Sequence, residues 1–558
     1  MLQAVPDLER AAADAAGVAV ENAGLAVLTA LRGYGVDTVF GIPGTHNLEF
    51  YRHLPRLGMR AVTSRHEQGA GYAADGWSQQ TGLPGVVITT SGPGLLNALS
   101  AIGTAYCESR PLVVLSPGVA RGAEFADVGT LHETKDASGA AGSIAEWSRR
   151  VESAEAAVAA VHDAFELFRT GRPRPVHIEI PLDVLEAACD LDEHLLAPRP
   201  TPGERVVDTG LLARVAAILG TAERPVIVAG GGSTRAAGPL RALAERLGAP
   251  VVTTLNGKGA LDERHPLAVG AELRLESARR VVNAADALLV VGAKLGEAEL
   301  WGGVIAPAGA VIRIDVLESQ LHKNLAADLG LVGHADDVLA RLVEALAGPE
   351  RADTRVGASW VDLDAVRAEC AVEARSFAPV TYDAAVAIAS AIPHDAIVSG
   401  DSSQITYLGM SSTVRSTRPH AFLYMAAYAT LGYGLPAAIG ARVAEPRRPV
   451  VSVLGDGALM FSVQEFATAV EQGLDLTVVC VDNGGYREIE QNEHDRGIEP
   501  IGVRLVQPDW AALAEAFGAH GHRTTSRDEV GDVVARAIAE PGVSLVHVPL
   551  RLFSEAPD

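Results

Sequence analysis

The residues of this chain best suited to chemistry form a spaced set in its last third. Gly455-Asp456-Gly457 is separated by the 25 residues 458–482 from Asn483, which lies in Val481-Asp482-Asn483-Gly484-Gly485. A carboxylate and an amide oxygen are hard ligands, suited to Mg²⁺ or Ca²⁺. Mg²⁺ demands near-octahedral coordination, so the Gly485 carbonyl, a water and substrate phosphates would complete its shell. Gly455 and Gly457 let the backbone approach a phosphate at the N-terminus of the next helix. A Gly-Asp-Gly turn is common by itself; its pairing with Asn483 at this spacing, each behind an apolar run, is far more specific. Glu67 is the second acid of interest, set in Arg65-His66-Glu67-Gln68-Gly69 behind Arg60–Thr63, although an isolated glutamate is ordinarily a surface residue. His132, in Gly129-Thr130-Leu131-His132-Glu133-Thr134, offers an imidazole able to move protons near neutral pH, where a lone loop histidine is ordinarily just solvated. His46, in Pro43-Gly44-Thr45-His46, is a weaker candidate of the same kind.

Such groups need strand tips to hold them. Val86–Thr90, Leu112–Leu115, Pro225–Ala229, Ala287–Val291, Val450–Leu454 and Leu476–Val481 are apolar on both faces, as buried parallel strands are. Val176–Ile180 and Val311–Ile314 carry polar residues and are expected nearer a sheet edge. Ala-rich amphipathic stretches alternate with these runs, which predicts an α/β chain of doubly wound parallel sheets with ligands at the strands' C-terminal ends. Composition breaks at Asp190–Val206, with Pro198, Pro200 and Pro202, and at Gly348–Arg375 divide it into 15–190, 205–346 and 375–555. Strand, Gly-x-Gly, helix and strand recur at nearly equal spacing after Val86–Thr90 and after Val450–Leu454. Duplication explains this echo, and so does the common shape of all βαβ units.

Composition narrows the classes. Lys+Arg 46 against Asp+Glu 69 gives a formal charge of −23, which argues against a nucleic-acid binder. Apolar content of 48% with 21% charged residues is that of a globular protein. Cys107, Cys189, Cys370 and Cys480 are scattered and read as reduced core thiols. Met1–Gly17 carries Asp7, Glu9 and Asp14 against Arg10, unlike a secretory signal, and no apolar run approaches a membrane span. A cytoplasmic protein with no membrane partner is expected.

Taken together, these stretches resemble the acetolactate-synthase-like family of thiamine-diphosphate enzymes, over about Asn22 to Val548. The similar stretches include Gly41-Ile42-Pro43-Gly44, Thr90-Ser91-Gly92-Pro93-Gly94, Thr254-Leu255-Asn256-Gly257-Lys258-Gly259 and Leu431-Gly432-Tyr433-Gly434. The resemblance implies three Rossmann-like domains: pyrimidine-binding (15–190), central (205–346) and diphosphate-binding (375–555). It implies thiamine diphosphate and Mg²⁺ as cofactors, with Asp456, Asn483 and Gly485 on the metal. It also implies cofactor contacts for Ser402, Ser403, Gln404, Leu431, Gly432, Gly455, Gly457, Ala458 and Tyr486. Glu67 would hydrogen-bond the aminopyrimidine and help to generate the C2 ylid; a carboxyl donating to a ring nitrogen must carry a proton part of the time. Leu431 would hold the cofactor bent, and His132, with His46 behind it, would move protons. A homodimer with active sites at the subunit interface, often doubled to a homotetramer, is also implied.

Within the family, Leu131-His132-Glu133-Thr134 and Ile498-Glu499-Pro500-Ile501-Gly502-Val503 are similar to the 2-oxoarginine (5-guanidino-2-oxopentanoate) decarboxylases. The implied reaction is non-oxidative decarboxylation of a small 2-oxo acid through an ylid and an enamine. The alternative is an acetolactate-synthase-like carboligase, in which the enamine attacks a second carbonyl. Lys294-Leu295-Gly296-Glu297 replaces the flavin-contacting run of those synthases, which argues against FAD. Glu488, Glu490 and Glu493 either form a helix's solvated face or attract a cationic guanidinium tail. A nicotinamide or flavin oxidoreductase is the competing class, but Gly230-Gly231-Gly232-Ser233-Thr234-Arg235 lacks the third spaced glycine of a dinucleotide fingerprint.

Overall fold

The computed structural model describes residues 21–201, 207–347 and 360–554. Met1–Gly17, residues 15–20, 205–206 and 555 of the expected segments, and parts of both composition breaks (202–206 and 348–359) lie outside the described residues. The chain forms three six-stranded sheets, each parallel throughout. Sheet 1 contains β1 (Thr38–Gly41), β2 (Arg60–Thr63), β3 (Gly85–Ile88), β4 (Leu112–Gly118), β5 (Trp147–Arg150) and β6 (Val176–Pro181), in the order β2-β1-β3-β4-β6-β5. Sheet 2 contains β7 (Pro225–Ala229), β8 (Val251–Thr253), β9 (Ala268–Gly270), β10 (Ala287–Val291), β11 (Ala310–Asp315) and β12 (Leu329–Val332), ordered β12-β11-β10-β7-β8-β9. Sheet 3 contains β13 (Ile397–Gly400), β14 (Phe422–Leu423), β15 (Val450–Gly455), β16 (Leu476–Asp482), β17 (His520–Arg523) and β18 (Val543–Pro549), ordered β14-β13-β15-β16-β18-β17.

Sheets 1 and 3 share one strand order when each is counted from its own first strand, so the echo extends over all six strands of both. In each, the order in which strands are laid down reverses between the first and third strands. That reversal opens a crevice beyond the C-terminal strand ends, the usual ligand position in open α/β sheets. Sheet 2 has the dinucleotide-fold order instead.

The described chain packs as two compact units. One holds the described residues up to 201 with Leu435–Arg447 and Ser462–Leu474; the other holds 207–434, Arg448–Phe461 and the described residues from Asp475 onward. The core of sheet 1 is built by Val86, Ile88, Val113, Leu115, Ile178 and the helix Ala154–Thr170 packed on them. That helix starts at Ser153, whose hydroxyl accepts from the Ala156 amide at 3.2 Å, and buries Ala157, Val161, Ala164 and Phe168 along one face. The charged break Gly348–Arg375 includes much of a helix, Leu363–Phe377, rather than only a linker. Asp362 caps it, and Leu363, Val366, Cys370 and Ala374 give it a buried stripe.

The expected central strands are central. β6 and β11 each lie one strand in from an edge, and their polar residues are buried. His177 is fully enclosed, 2.8 Å from Ser116 Oγ and 2.7 Å from Ser148 Oγ, and burial lowers its pKa to about 3. Arg313 donates to the carbonyls of Lys323, Leu325 and Ala293. Polar residues are tolerated in these strands because partners satisfy them, not because water does. None of the four cysteines is in a disulfide, but only Cys370 and Cys480 are core residues; Cys107 and Cys189 are half-buried. Among the described residues no helix is long and apolar enough to cross a membrane.

Candidate active site

In the second unit the tips of β13, β15 and β16 carry the spaced residues. Gly400-Asp401 ends β13 and Gly455-Asp456 ends β15. Asp401 is fully buried, and its carboxylate accepts from the Ser402 amide at 2.9 Å, from Gly432 N at 3.1 Å and from Gly434 N at 2.8 Å. Burial pushes its carboxyl up to about 6, against the opposing pull of these N–H donors. The effect is to tie the Ser402-Ser403-Gln404 loop to the turn that presents Leu431. Ser403 Oγ accepts from Gly455 N at 3.0 Å, which joins the same loop to the β15 tip. Beyond Gln404 the chain winds as a π-helical turn, Ile405–Met410, a form that recurs at functional sites.

Asp456 opens a short helix, Asp456–Leu459, which includes Gly457 and the buried Ala458. Gln507 Nε2 donates to Asp456 Oδ2 at 2.6 Å, and Gln507 Oε1 accepts from the buried Trp510 indole at 3.2 Å. Asp456 Oδ1 faces the β16 tip and accepts from Asn483 N at 3.3 Å. The outer atom of the Asn483 amide lies 3.1 Å from Asp456 Oδ1 and 2.9 Å from the Gly485 carbonyl. With nitrogen there it donates to both; with oxygen there, three acceptors converge, which is a cation's donor set. Among the described residues no group of three or more His, Cys, Asp or Glu side chains forms a metal site, so a cation held here depends on amide and carbonyl oxygens. That set suits Mg²⁺ or Ca²⁺ and disfavours softer metals. Burial, helped by the Asp482 charge, raises Asp456 to about 6. Gly485 has φ +138, and a Cβ there would overlap the Val503 carbonyl. A Cβ on Gly457 would lie 2.9 Å from the Tyr486 ring. Both glycines are required by packing within the loop itself.

In the first unit Glu67 is the buried first residue of the helix Glu67–Thr81. His66 caps this helix, its Nδ1 accepting from Gln68 N at 3.2 Å. The preceding turn is fixed by Glu465, whose Oε1 accepts from Arg65 N and His66 N at 3.0 Å each and whose Oε2 accepts from Thr468 Oγ1 at 2.6 Å. Burial raises the Glu465 carboxyl above its ordinary range. Asn97 Nδ2 donates to Glu67 Oε2 at 3.0 Å, and a Cβ on Gly94 would lie 3.0 Å from Glu67 Oε1. One carboxylate oxygen is thus held by protein while the other faces the space that Gly94 leaves.

The Thr90–Gly94 loop behind β3 also reaches the histidines. Ser91 Oγ is 2.6 Å from His46 Nδ1 and 3.3 Å from His132 Nδ1, and the two imidazole centroids are 5.2 Å apart, edge to face. His132 has φ +61, held by a loop in which Glu133 accepts from Val128 N at 3.1 Å and from Gly129 N. Burial first, then the neighbouring His132, lowers the pKa of His46, so it is neutral at pH 7. A hydroxyl between two imidazoles can accept from one and donate to the other, which makes the trio a proton relay.

The structure therefore brings together Asp456, Asn483 and Gly485, with Ser403 and Tyr486 beside them. It groups His46 with His132, and ties Gly432, next to Leu431, to the loop of Ser402. Asp401, Gln507, Glu465, Asn97 and the bridging role of Ser91 were not legible in the sequence. A Gly-Asp pair ending an apolar run, shared by Gly400-Asp401 and Gly455-Asp456, was the one signal that pointed at Asp401. A cavity of about 390 Å³ elsewhere in the second unit is lined by Lys258, Glu263 and Glu272. Lys258 Nζ donates to both Glu263 oxygens and to the Ser411 carbonyl, so its three N–H groups are satisfied within the fold.

Comparison with known proteins agrees with this layout. Residues 21–140 match the thiamine pyrophosphate enzyme N-terminal TPP binding domain, 212–342 its central domain and 404–548 its C-terminal TPP binding domain. The chain is 37% identical over 529 residues to the "probable 2-ketoarginine decarboxylase" of Pseudomonas aeruginosa, covering 94% of each chain. It is 32% identical to the "probable acetolactate synthase large subunit" of Methanocaldococcus jannaschii, covering 92% of this chain and 89% of that one. It is 29% identical to the acetolactate synthase isozyme 1 large subunit of Escherichia coli, covering 92% and 91%. The chain belongs to the thiamine pyrophosphate enzyme family, and it is a thiamine-diphosphate-dependent enzyme.

Proposed function

We propose that this enzyme uses thiamine diphosphate and Mg²⁺ to remove CO₂ from a 2-oxo acid without oxidation, its donor being 2-oxoarginine or a close analogue. The observation that carries the reading is the convergence of Asp456 Oδ1, the Asn483 amide and the Gly485 carbonyl at neighbouring strand tips. The name of the Pseudomonas relative supports the donor. In this reading 15–190 binds the pyrimidine, 375–555 the diphosphate and metal, and 205–346 is the central domain. Active sites are shared between subunits of a homodimer or homotetramer, and thiols left outside disulfides suit the cytoplasm.

When bound, the cofactor supplies the nucleophilic carbon and the electron sink for the bond that CO₂ leaves. The residues do the rest. Asp456, Asn483 and the Gly485 carbonyl hold Mg²⁺, with Gln507 fixing the carboxylate so that Oδ1 is the free ligand. The Ser402-Ser403-Gln404 loop, Gly455, Gly457, Ala458 and Tyr486 line the diphosphate. The turn at Gly432, held by Asp401, fixes Leu431, which would support the cofactor's rings and orient them before reaction. Glu67, anchored by Asn97 and by the Glu465-held turn, holds a proton against the pyrimidine nitrogen. His132 delivers the proton that completes the product aldehyde, and Ser91 passes a replacement from His46 Nδ1 as His46 takes up a proton from solvent at Nε2.

The acetolactate synthase relatives favour a second reading, in which a second carbonyl compound takes the place of that proton and an acyloin forms. Incubating the enzyme, thiamine diphosphate and Mg²⁺ with a panel of 2-oxo acids, with and without an aldehyde acceptor, separates the two. The decarboxylase reading predicts CO₂ and aldehyde in equal amounts. Acyloin as the main product would replace it with the carboligase, and no CO₂ from any acid would refute both.

A further inference from the structure

The helix Arg487–Asp495 begins directly after the candidate metal loop, with three glutamates whose surroundings differ sharply. Glu490 is buried and paired with Arg487 and with Arg504 Nε, the latter at 2.7 Å, so its charge is already neutralised. Glu493 turns back to the Ile501 amide at 3.3 Å. Glu488 is exposed, and among the described residues no Lys or Arg forms an ion pair with it. Gln404 Nε2 at 2.9 Å and Tyr407 OH at 3.1 Å both donate to one oxygen, Oε2, and no hydrogen bond from the described residues reaches Oε1. Burial first, and then the Glu488 charge, pushes the Tyr407 hydroxyl pKa up.

Position adds a second argument. Gln404 closes the loop assigned to the diphosphate, and Glu488 lies two residues beyond Tyr486, whose ring occupies the space beside Gly457. Two neutral donors from the cofactor loop and its π-helical turn thus fix the carboxylate in one orientation with an oxygen left over. Tyr407 in turn meets Trp301 edge to face, with centroids 6.1 Å apart, and Trp301 is 41% exposed. An anion fixed by neutral donors, with an unused oxygen and aromatic surface close by, is a receptor for the cationic end of a chain with an apolar stem. Nothing in the fold requires that arrangement, since the same helix neutralises its buried Glu490 with arginines.

Taking the decarboxylase reading as its basis, we infer that Glu488 is the specificity-determining residue that selects 2-oxo acids carrying a cationic terminal group, guanidinium or ammonium. Gln404 and Tyr407 position it. Because these donors already orient the carboxylate, little order is lost when the cation docks.

The test compares 5-guanidino-2-oxopentanoate with its neutral isostere 5-ureido-2-oxopentanoate, in wild type, Glu488→Gln and Glu488→Lys. The amide oxygen of Glu488→Gln can still accept from Gln404 and Tyr407, so the loop contacts survive while the charge goes. The wild type should prefer the guanidino acid in kcat/KM, and Glu488→Gln should lower that preference about tenfold or more, the worth of one charged hydrogen bond. Glu488→Lys should reverse it, raising kcat/KM for a 2-oxo acid with a terminal carboxylate relative to the guanidino acid. A Glu488→Gln enzyme with an unchanged preference ratio, or with both acids slowed equally, would overturn the assignment and leave Glu488 a support for Gln404. A wild type that decarboxylates 2-oxo acids with no preference for cationic tails would overturn the assignment and the 2-oxoarginine donor, with the decarboxylase reading intact. A wild type that releases CO₂ from none would overturn the decarboxylase reading instead.

Discussion

Asp401 offers the most quantitative handle on how this enzyme builds its cofactor loop, and Asp401→Asn is the informative perturbation. The carboxylate collects N–H donors from Ser402, Gly432 and Gly434 in a site with no exposure to water. Asparagine keeps one acceptor oxygen but turns an NH₂ toward those donors, which costs about 1–3 kcal/mol for each donor left unmet. A second effect runs the other way with pH. The carboxyl rises from 3.8 to about 6 on folding, so the folded protein binds this proton more tightly than the unfolded chain. Its contribution is fully present below the unfolded value and is lost as pH rises through 6. The whole shift is worth about 3 kcal/mol, of which about 1.4 kcal/mol falls between pH 5 and pH 8. The variant has no such titration. Urea unfolding of cofactor-free protein, followed through Trp301, Trp360 and Trp510 of the second unit, should therefore show wild type ahead at pH 5 by about 1.4 kcal/mol more than at pH 8. Weaker binding of thiamine diphosphate to the variant should accompany this, because the turn presenting Leu431 loosens. A stability difference that does not change with pH would refute the reasoning.

Two further outcomes follow from the first unit. Ser91→Ala should lower kcat about tenfold to a hundredfold with little change in KM, because it cuts the link between His46 and His132; Ser91→Thr should restore most of it, and an unaffected kcat would remove the relay. Glu465→Gln should cost about 2 kcal/mol, since an NH₂ replaces an acceptor of the Arg65 and His66 amides. Calorimetric melting should show this as a fall of about 4–8 °C, and an unchanged midpoint would mean that the Glu67 turn is held by other contacts.

The fold was largely legible because its signal is local. β7 and β10 have the bounds of the apolar runs Pro225–Ala229 and Ala287–Val291, since a strand buried on both faces must be apolar along its whole length. The strand-tip positions of Asp456 and Asn483 were legible for the same reason: each polar residue ends such a run. What escaped were the partners that aim these groups. Glu465 is 400 residues from Arg65, and Gln507 is 51 from Asp456, so no local period connects them. β6 and β11 do lie nearer an edge than the apolar strands, but His177 and Arg313 are buried there, because a polar side chain in a strand looks solvated until its buried partners are known. For Gly457 the sequence suggests room for a phosphate, and the structure adds a nearer cause in the Tyr486 ring; at Gly485 the Val503 carbonyl leaves no space for a Cβ.

The most direct measurement is titration calorimetry of the purified protein with thiamine diphosphate, in excess Mg²⁺ and in EDTA, for wild type and Asp456→Ala. A cation held by Asp456, Asn483 and the Gly485 carbonyl predicts saturable binding by the wild type in Mg²⁺. Binding should weaken at least about 100-fold, or 2.7 kcal/mol, on chelation and in the variant. Equal affinity in all three conditions would contradict the account.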